Sequence, residues 1–372
     1  MIKLSQPSIP ESAIEKVAEI LRSGYLIHGP ECEAFEEELT HYTGAKHALV
    51  VSNGTAALHI ALLATGIGTG DAVLVPDFTF AATANVVEMV GAKAIIVDVE
   101  NYSYNMCPRL LKEKIQNWQG PETLKAIMPV LEFGNPSNLL AYREIADEYN
   151  LLLIEDAACA LGAKIKDKMV GTIGDIGCFS FHPRKTLTTG EGGALITDDS
   201  KLYEKAKLLR SHGMVRDPFS TKFECIGLNY RLTNFQGAIG RSLLPLIDGW
   251  IKKRRELSKE LESQLQPLVE KDAIALPAIT EGHSLQTYMI VLNDRFDRTE
   301  IIKQLRDKGI ETSLGAQSMK ALALYDHSEN LKLSHTIGEK LYAHGLAIPL
   351  HEHLNLSDID FITKSIIEVL NG

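Results

Sequence analysis

The sequence predicts an α/β protein: a mostly parallel central sheet flanked by helices, followed by a smaller α+β domain. Two patterns along the 372 residues carry that expectation. Short runs that are apolar throughout, rather than alternating, recur between stretches of helical periodicity, as strands buried on both faces of a parallel sheet do. After about residue 233 that rhythm gives way to a long helical pattern and then to a shorter mixture of strand and helix. A large domain is therefore expected over residues 1–245 and a small one over 246–372.

Taken in order, residues 11–23 and 31–43 form amphipathic segments, and 48–51 is a strand followed by an apolar helix. Residues 72–75 predict a strand, 80–90 a helix, 94–97 a strand, 108–117 a helix, 126–130 a strand, 139–149 a helix and 151–155 a strand. Thr233 or Asn234 can cap a long helix whose apolar stripe includes Phe235, Ile239, Leu243, Leu246 and Trp250. The basic run Lys252-Lys253-Arg254-Arg255 is expected to be the solvated face of that helix rather than a binding patch. A strand over 288–292 and a helix over 357–370 belong to the small domain.

The bulk numbers exclude several function classes. Apolar residues at 45% and charged residues at 23% are ordinary for a globular chain with a dense core. With 38 basic against 48 acidic residues, the net charge of −10 argues against a nucleic-acid or anionic-membrane partner. Five scattered cysteines without a C-x-x-C pair suggest neither a zinc ribbon nor a disulfide framework. The stretch from Met1 to Pro7 lacks the apolar core of a signal peptide. No apolar run approaches the roughly 18 residues of a membrane span, so a cytoplasmic protein is expected.

Three blocks carry chemistry. In Ser52-Asn53-Gly54-Thr55-Ala56-Ala57, a Gly-Thr pair opens a helix directly after a strand. Free backbone N–H groups and a hydroxyl at the positive end of the helix dipole suit a phosphate, although the same residues also make a good turn and N-cap. Gly66-Ile67-Gly68-Thr69-Gly70 follows a helix instead of a strand and so fails the context of a dinucleotide fingerprint. Asp156 falls where its strand runs out, the end at which α/β proteins place ligands, and could pair with a protonated ring nitrogen or simply cap a helix. In Gly177-Cys178-Phe179-Ser180-Phe181-His182-Pro183-Arg184-Lys185, a serine leaves an apolar strand and a lysine follows five residues later on a turn. Such a lysine can join an aldehyde covalently if its amine loses a proton readily, and burial and Arg184 are both expected to lower its pKa. A lone lysine is usually just a solvated charge; the surrounding glycines and aromatics weaken that reading here.

In this order and spacing the blocks resemble the DegT–StrS group of nucleotide-sugar aminotransferases, within fold-type I pyridoxal-phosphate enzymes. The likeness continues in Ser23-Gly24-Tyr25, Gly29-Pro30, the block from Val75 to Thr83, Arg210-Ser211-His212-Gly213 and the block from Gly227 to Thr233. It spans essentially the whole chain and is weakest beyond about residue 280. The resemblance implies the cofactor pyridoxal 5′-phosphate, attached to Lys185, which would also shuttle the proton. It implies that Asp156 keeps the pyridine nitrogen protonated, Phe80 stacks on the ring, and Gly54, Thr55, Ala56 and Ser180 bind the phosphate. Asn229 would reach the cofactor of the partner subunit, which implies a homodimer with shared sites. The implied substrates are a nucleotide-linked keto-deoxysugar and an amino-acid donor, L-glutamate, with cell-surface glycans (O-antigen among them) or antibiotic sugars as the usual destination. Two departures stand out. Cys159 occupies a cofactor-touching position where many relatives carry Gln or His, and Glu311–Ser318 lacks the His-Tyr pattern common in the sugar-facing part of the family.

Rival readings leave marks that can be checked. Sugar dehydratases on the same scaffold carry His where Lys185 stands, and imidazole cannot form the covalent link. A non-catalytic binding relative would be expected to lose Lys185, Asp156 or Ser180, and all three are present. His351-Glu352-His353 does not match the H-E-x-x-H spacing that sets two histidines on one helical face, so no metal site is expected there.

Overall fold

Neighbouring residues in the central strands point into two different cores. Leu74 and Val50 join one cluster with Phe35, Leu39 and Tyr142, while Val73, Val75, Leu49 and Val51 join another with Ile60, Leu62 and Val86. Strands that bury both faces need helices above and below, and the computed structural model, which describes residues 1–371, has that layering. Seven strands form the sheet: β1 (His47–Val51), β2 (Asp71–Pro76), β3 (Lys93–Val97), β4 (Thr123–Ile127), β5 (Leu152–Asp156), β6 (Ile176–Ser180) and β7 (Gly193–Thr197). Their order is β1-β7-β6-β5-β4-β2-β3. All neighbouring pairs are parallel except those made by β7, which runs against both β1 and β6. Helices Pro30–Thr43 and Leu139–Tyr149 cover one face and Gly54–Thr65 and Ala82–Met89 the other.

Strand β4 starts at Thr123, earlier than the apolar run suggested, because it pairs with β2 from Asp71 onward. Its expected end is cut short at Pro129, which has no N–H to donate, and Val130 makes only an isolated bridge to Asp156. The expected long helix after Thr233 is broken. Thr233 caps it with a capping box to Gln236, but Asn234–Leu243 passes through a 3-10 turn, Leu244–Leu246, before Ile247–Glu270 resumes. Pro245 removes an N–H at that point. The domain division proposed at residue 245 falls in this turn.

A third core lies beyond it. Helices Ile247–Glu270 and Leu356–Asn371 pack on a three-stranded antiparallel sheet of Ile274–Ala275, Tyr288–Leu292 and Gly345–Ile348. The first residues of the chain also reach this part: Ile2 bridges Ile310, and the Leu4 N–H donates to Glu311. The basic run differs from expectation. Arg254 is buried, ion-paired to Glu352 at 3.0 Å, and donates to the carbonyls of Leu285 and Gln286. Arg255 donates to the His283 carbonyl. No described helix is long and apolar enough to cross a membrane.

Candidate active site

Strands β5 and β6 run parallel as neighbours, so their C-terminal ends open onto one place. Asp156 ends β5 and is buried. No helix follows it; the chain turns, and the Ala158 N–H donates back to its carboxylate at 3.2 Å. Thr83 Oγ1 donates to the other oxygen at 2.8 Å and is itself bonded to Thr79 Oγ1. Burial pushes the Asp156 carboxyl above its usual range, while Thr83, Ala158 and Lys185 oppose that.

Lys185 lies on the turn after β6, with its amine 2.9 Å from Cys159 Sγ. Burial acts to lower its pKa, as expected, but Cys159 and then Glu132 and Asp156 outweigh it and hold the amine above its ordinary value. The Arg184 charge takes no part in this shift. The expected easy loss of the proton is therefore reversed by these neighbours.

The helix Gly54–Thr65 begins beside the same strand ends. Asn53 caps it by accepting the Ala56 N–H at 2.8 Å, so that N–H is already engaged. The N–H groups of Gly54 and Thr55 have no protein partner among the described residues. A Cβ added at Gly54 would lie 2.8 Å from Ser180 Cβ, which makes glycine the residue that lets the helix end and the Ser180 hydroxyl share one cradle. Phe80 is 67% exposed, one turn before Thr83, and the pairing of Gln317 with Thr79 sets the Glu311–Ser318 segment next to it. Asn229 is exposed on the segment that bridges Ser211, and its side chain forms no hydrogen bond among the described residues.

Two members of this centre escape the sequence reading. Thr83 closes the block from Val75, but nothing local says that its hydroxyl meets Asp156. Glu132 sits two residues past the Val130–Asp156 bridge and is only 4% exposed. The strand-end rule that singles out Asp156 would have singled out Glu132 too. Glu352, by contrast, is committed to Arg254, and His351 Nε2 to the Lys3 carbonyl.

The residues fit pyridoxal phosphate. A buried strand-end carboxylate suits its ring nitrogen, Lys185 its aldehyde, and the glycine-tight helix N-terminus beside Ser180 its phosphate. Chain-wide similarity agrees. Residues 7–367 match the model of the DegT/DnrJ/EryC1/StrS aminotransferase family. The chain is 38% identical to a GDP-perosamine synthase of Caulobacter vibrioides over 90% of its length and 89% of that protein's. It is 32% identical to a UDP-4-amino-4,6-dideoxy-N-acetyl-beta-L-altrosamine transaminase of Campylobacter jejuni, over 100% and 98%. The crystal structure of the aminotransferase TlmJ from Streptoalloteichus hindustanus superposes with a TM-score of 0.91 at 28% identity, covering 100% of this chain and 99% of that one. The chain belongs to the DegT/DnrJ/EryC1/StrS family and is a fold-type I, pyridoxal-phosphate-dependent aminotransferase.

Proposed function

We propose that this enzyme moves an amino group from an amino acid, L-glutamate, to the 3- or 4-keto group of a nucleotide-linked deoxysugar, giving a nucleotide amino sugar. The names of its relatives support a nucleotide sugar as acceptor, one carrying GDP and one UDP. The reading rests above all on one observation: the Lys185 amine, the Asp156 carboxylate and the Gly54–Ser180 cradle lie on adjoining strand ends.

When bound, pyridoxal phosphate supplies an aldehyde that accepts the amino group and a ring that takes up the electron pair left when a carbon loses its proton. The chain does the rest. Asp156, oriented by Thr83, would hold a proton on the ring nitrogen. Lys185 is the point of attachment and, once free, carries the proton from the donor carbon and returns one to the sugar carbon. Gly54, Thr55 and Ser180 would hold the phosphate, with Ala56 closing the first helical turn, while Phe80 would stack on the ring and Cys159 holds the lysine. Asn229 serves the partner subunit's site in a homodimer. The exposed apolar side chains Phe219, Phe223 and Ile226, on and beside the hairpin formed by Met214–Arg216 and Thr221–Phe223, support such an interface.

The test is Lys185→Ala. Borohydride treatment and mass spectrometry should find the cofactor fixed to Lys185 in the native enzyme and to nothing in the variant. Amino transfer should fall by about a thousandfold or more. A variant that still binds the cofactor covalently would end this assignment, and a native absorbance band indifferent to L-glutamate would remove glutamate as donor.

A further inference from the structure

The Cys159 thiol takes no covalent part in the reaction as described, yet its sulfur lies 2.9 Å from the Lys185 amine. Among the described residues neither atom has another hydrogen-bond partner. Both side chains are half-buried and keep part of their surface open at the strand ends. Their backbones are fixed. The Ala160 N–H donates to the Ala157 carbonyl at 2.8 Å, closing the turn that carries Cys159, and a Cβ added at Gly134 would lie 3.0 Å from the Cys159 carbonyl. On the other side, the Lys185 N–H donates to the His182 carbonyl at 2.8 Å, and Gln286 Nε2 donates to the Arg184 carbonyl at 2.6 Å. Side-chain rotation is what remains to change the distance between sulfur and nitrogen.

A cysteine oxidised by a peroxide becomes a sulfenic acid, which condenses with a thiol or a nitrogen standing beside it. The other cysteines are free and engaged elsewhere. Cys32 and Cys178 are buried in the cores on the two faces of the sheet, Cys107 precedes the helix Pro108–Gln116, and Cys225 lies exposed beside Gly213. The nitrogen at hand is the Lys185 amine.

We propose that Cys159 and Lys185 form an oxidation-sensitive pair, which a peroxide joins through a sulfur–nitrogen bond when the amine carries no cofactor. The consequence for function rests on Lys185 being the attachment point proposed above. In the first step the sulfur attacks one peroxide oxygen, the O–O bond breaks, and the thiol becomes S–OH as water leaves. The Lys185 nitrogen then attacks the sulfur. An S–N bond forms, the S–O bond breaks, and the departing hydroxide leaves as a second water with a proton from the nitrogen. The sulfur gives up two electrons and the peroxide takes them. A thiol reductant cleaves the S–N bond and restores both side chains. Joined in this way, Lys185 cannot attach an aldehyde, so oxidation withdraws the unloaded enzyme reversibly. A loaded enzyme is spared, because its lysine nitrogen is already engaged.

The groups around the sulfur set the pace. Burial pushes the Cys159 thiol up; Lys185, from the turn after β6, opposes this, while Glu132, from the loop after β4, and Asp156, from the end of β5, add to it. The thiolate is the form that attacks, and the amine must shed its proton to follow. Joining should therefore quicken as pH rises.

The experiment is peptide mass mapping after hydrogen peroxide treatment at neutral and alkaline pH, alongside covalent capture of pyridoxal phosphate followed by absorbance. Stripped of cofactor, the native protein should yield the Cys159 and Lys185 peptides joined and lighter by two hydrogens, more so at alkaline pH. Capture should be lost in step with the joining, and dithiothreitol should restore it. Enzyme loaded with pyridoxal phosphate beforehand should stay unjoined, and Cys159→Ser should keep its own untreated level of capture after peroxide. Cys159 found as a sulfinic acid with Lys185 unjoined overturns the proposal, and so does an equal loss of capture in Cys159→Ser. If that variant fails to fold, the joined peptide in the stripped protein and its absence from the loaded enzyme decide the matter. Failure of the Lys185 assignment reads out separately: the joined peptide forms, but pyridoxal phosphate does not prevent it and capture is unaffected by it.

Discussion

The side-chain amine of Lys185 donates to the sulfur of Cys159 across 2.9 Å, tying the turn after β6 to the turn after β5. The lysine that must react as a free amine therefore rests against a group that stabilises its charged form. After the opposing pull of burial, Cys159 is the largest influence on that amine. Replacing it with alanine removes this influence and lets burial lower the Lys185 pKa. The pH at which the apoprotein captures pyridoxal phosphate at half its maximal rate should drop by roughly one unit. Stopped-flow absorbance over a pH series measures it. An unchanged or raised midpoint would show that the thiol does not govern the amine.

Gly54 and Ser180 touch so closely that Gly54→Ala must displace the helix end or the serine. Overpacking of this kind costs about 1–3 kcal/mol, and here it falls on the cradle rather than the core. The dissociation constant for pyridoxal phosphate should rise roughly ten- to a hundredfold, and the urea midpoint should fall as well. Fluorescence titration of the apoprotein gives the first quantity.

Arg254 and Glu352 form a buried ion pair, and Arg254 also carries the carbonyls of Leu285 and Gln286. Glu352→Ala leaves the guanidinium charge uncompensated and should destabilise the protein by about 3–5 kcal/mol in urea unfolding. The double change Arg254→Met with Glu352→Leu should recover most of that loss. Recovery would identify the penalty as stranded charge rather than lost packing.

His283 clamps the Phe133 carbonyl through Nε2, so that nitrogen carries the proton and the buried Nδ1 is left without a partner. Burial lowers its pKa from 6.5 to about 4, and burial followed by Arg210 does the same for His28. Between those values the unfolded chain binds protons that the folded chain does not. Stability should therefore be fully present above about pH 6.5 and fall as pH drops toward 4, by about 1.4 kcal/mol per unit for each histidine. Urea midpoints at several pH values test this, and His283→Leu should remove its share of the slope.

The parts of the fold that were legible in the sequence are those written in nearest neighbours. The apolar runs of β1, β2, β3 and β5 and the caps around Gly54 and Thr233 state their own conformation. What stayed hidden depends on partners far along the chain. Arg254 reads as solvated until Glu352, 98 residues later, is seen to meet it. Lys185 reads as an easily deprotonated amine until Cys159 is placed against it. The break at Pro245 was signalled locally, but the apolar stripe from Phe235 to Trp250 crosses it without a change of period, and periodicity alone joins the two helices.

Strand β1 meets the central sheet only through β7, and β7 runs antiparallel to both its neighbours. The Gly54 end of the cradle grows directly out of β1. During synthesis, then, the first strand of the sheet waits until residue 197 has emerged before it has an edge to pair with. Closing that loop of nearly 150 residues is an entropic step deferred to the second half of translation. The phosphate site is encoded early and assembled late, and a chain that stops short of β7 leaves β1 without a partner and the most apolar helix of the large domain without one of the strands it covers.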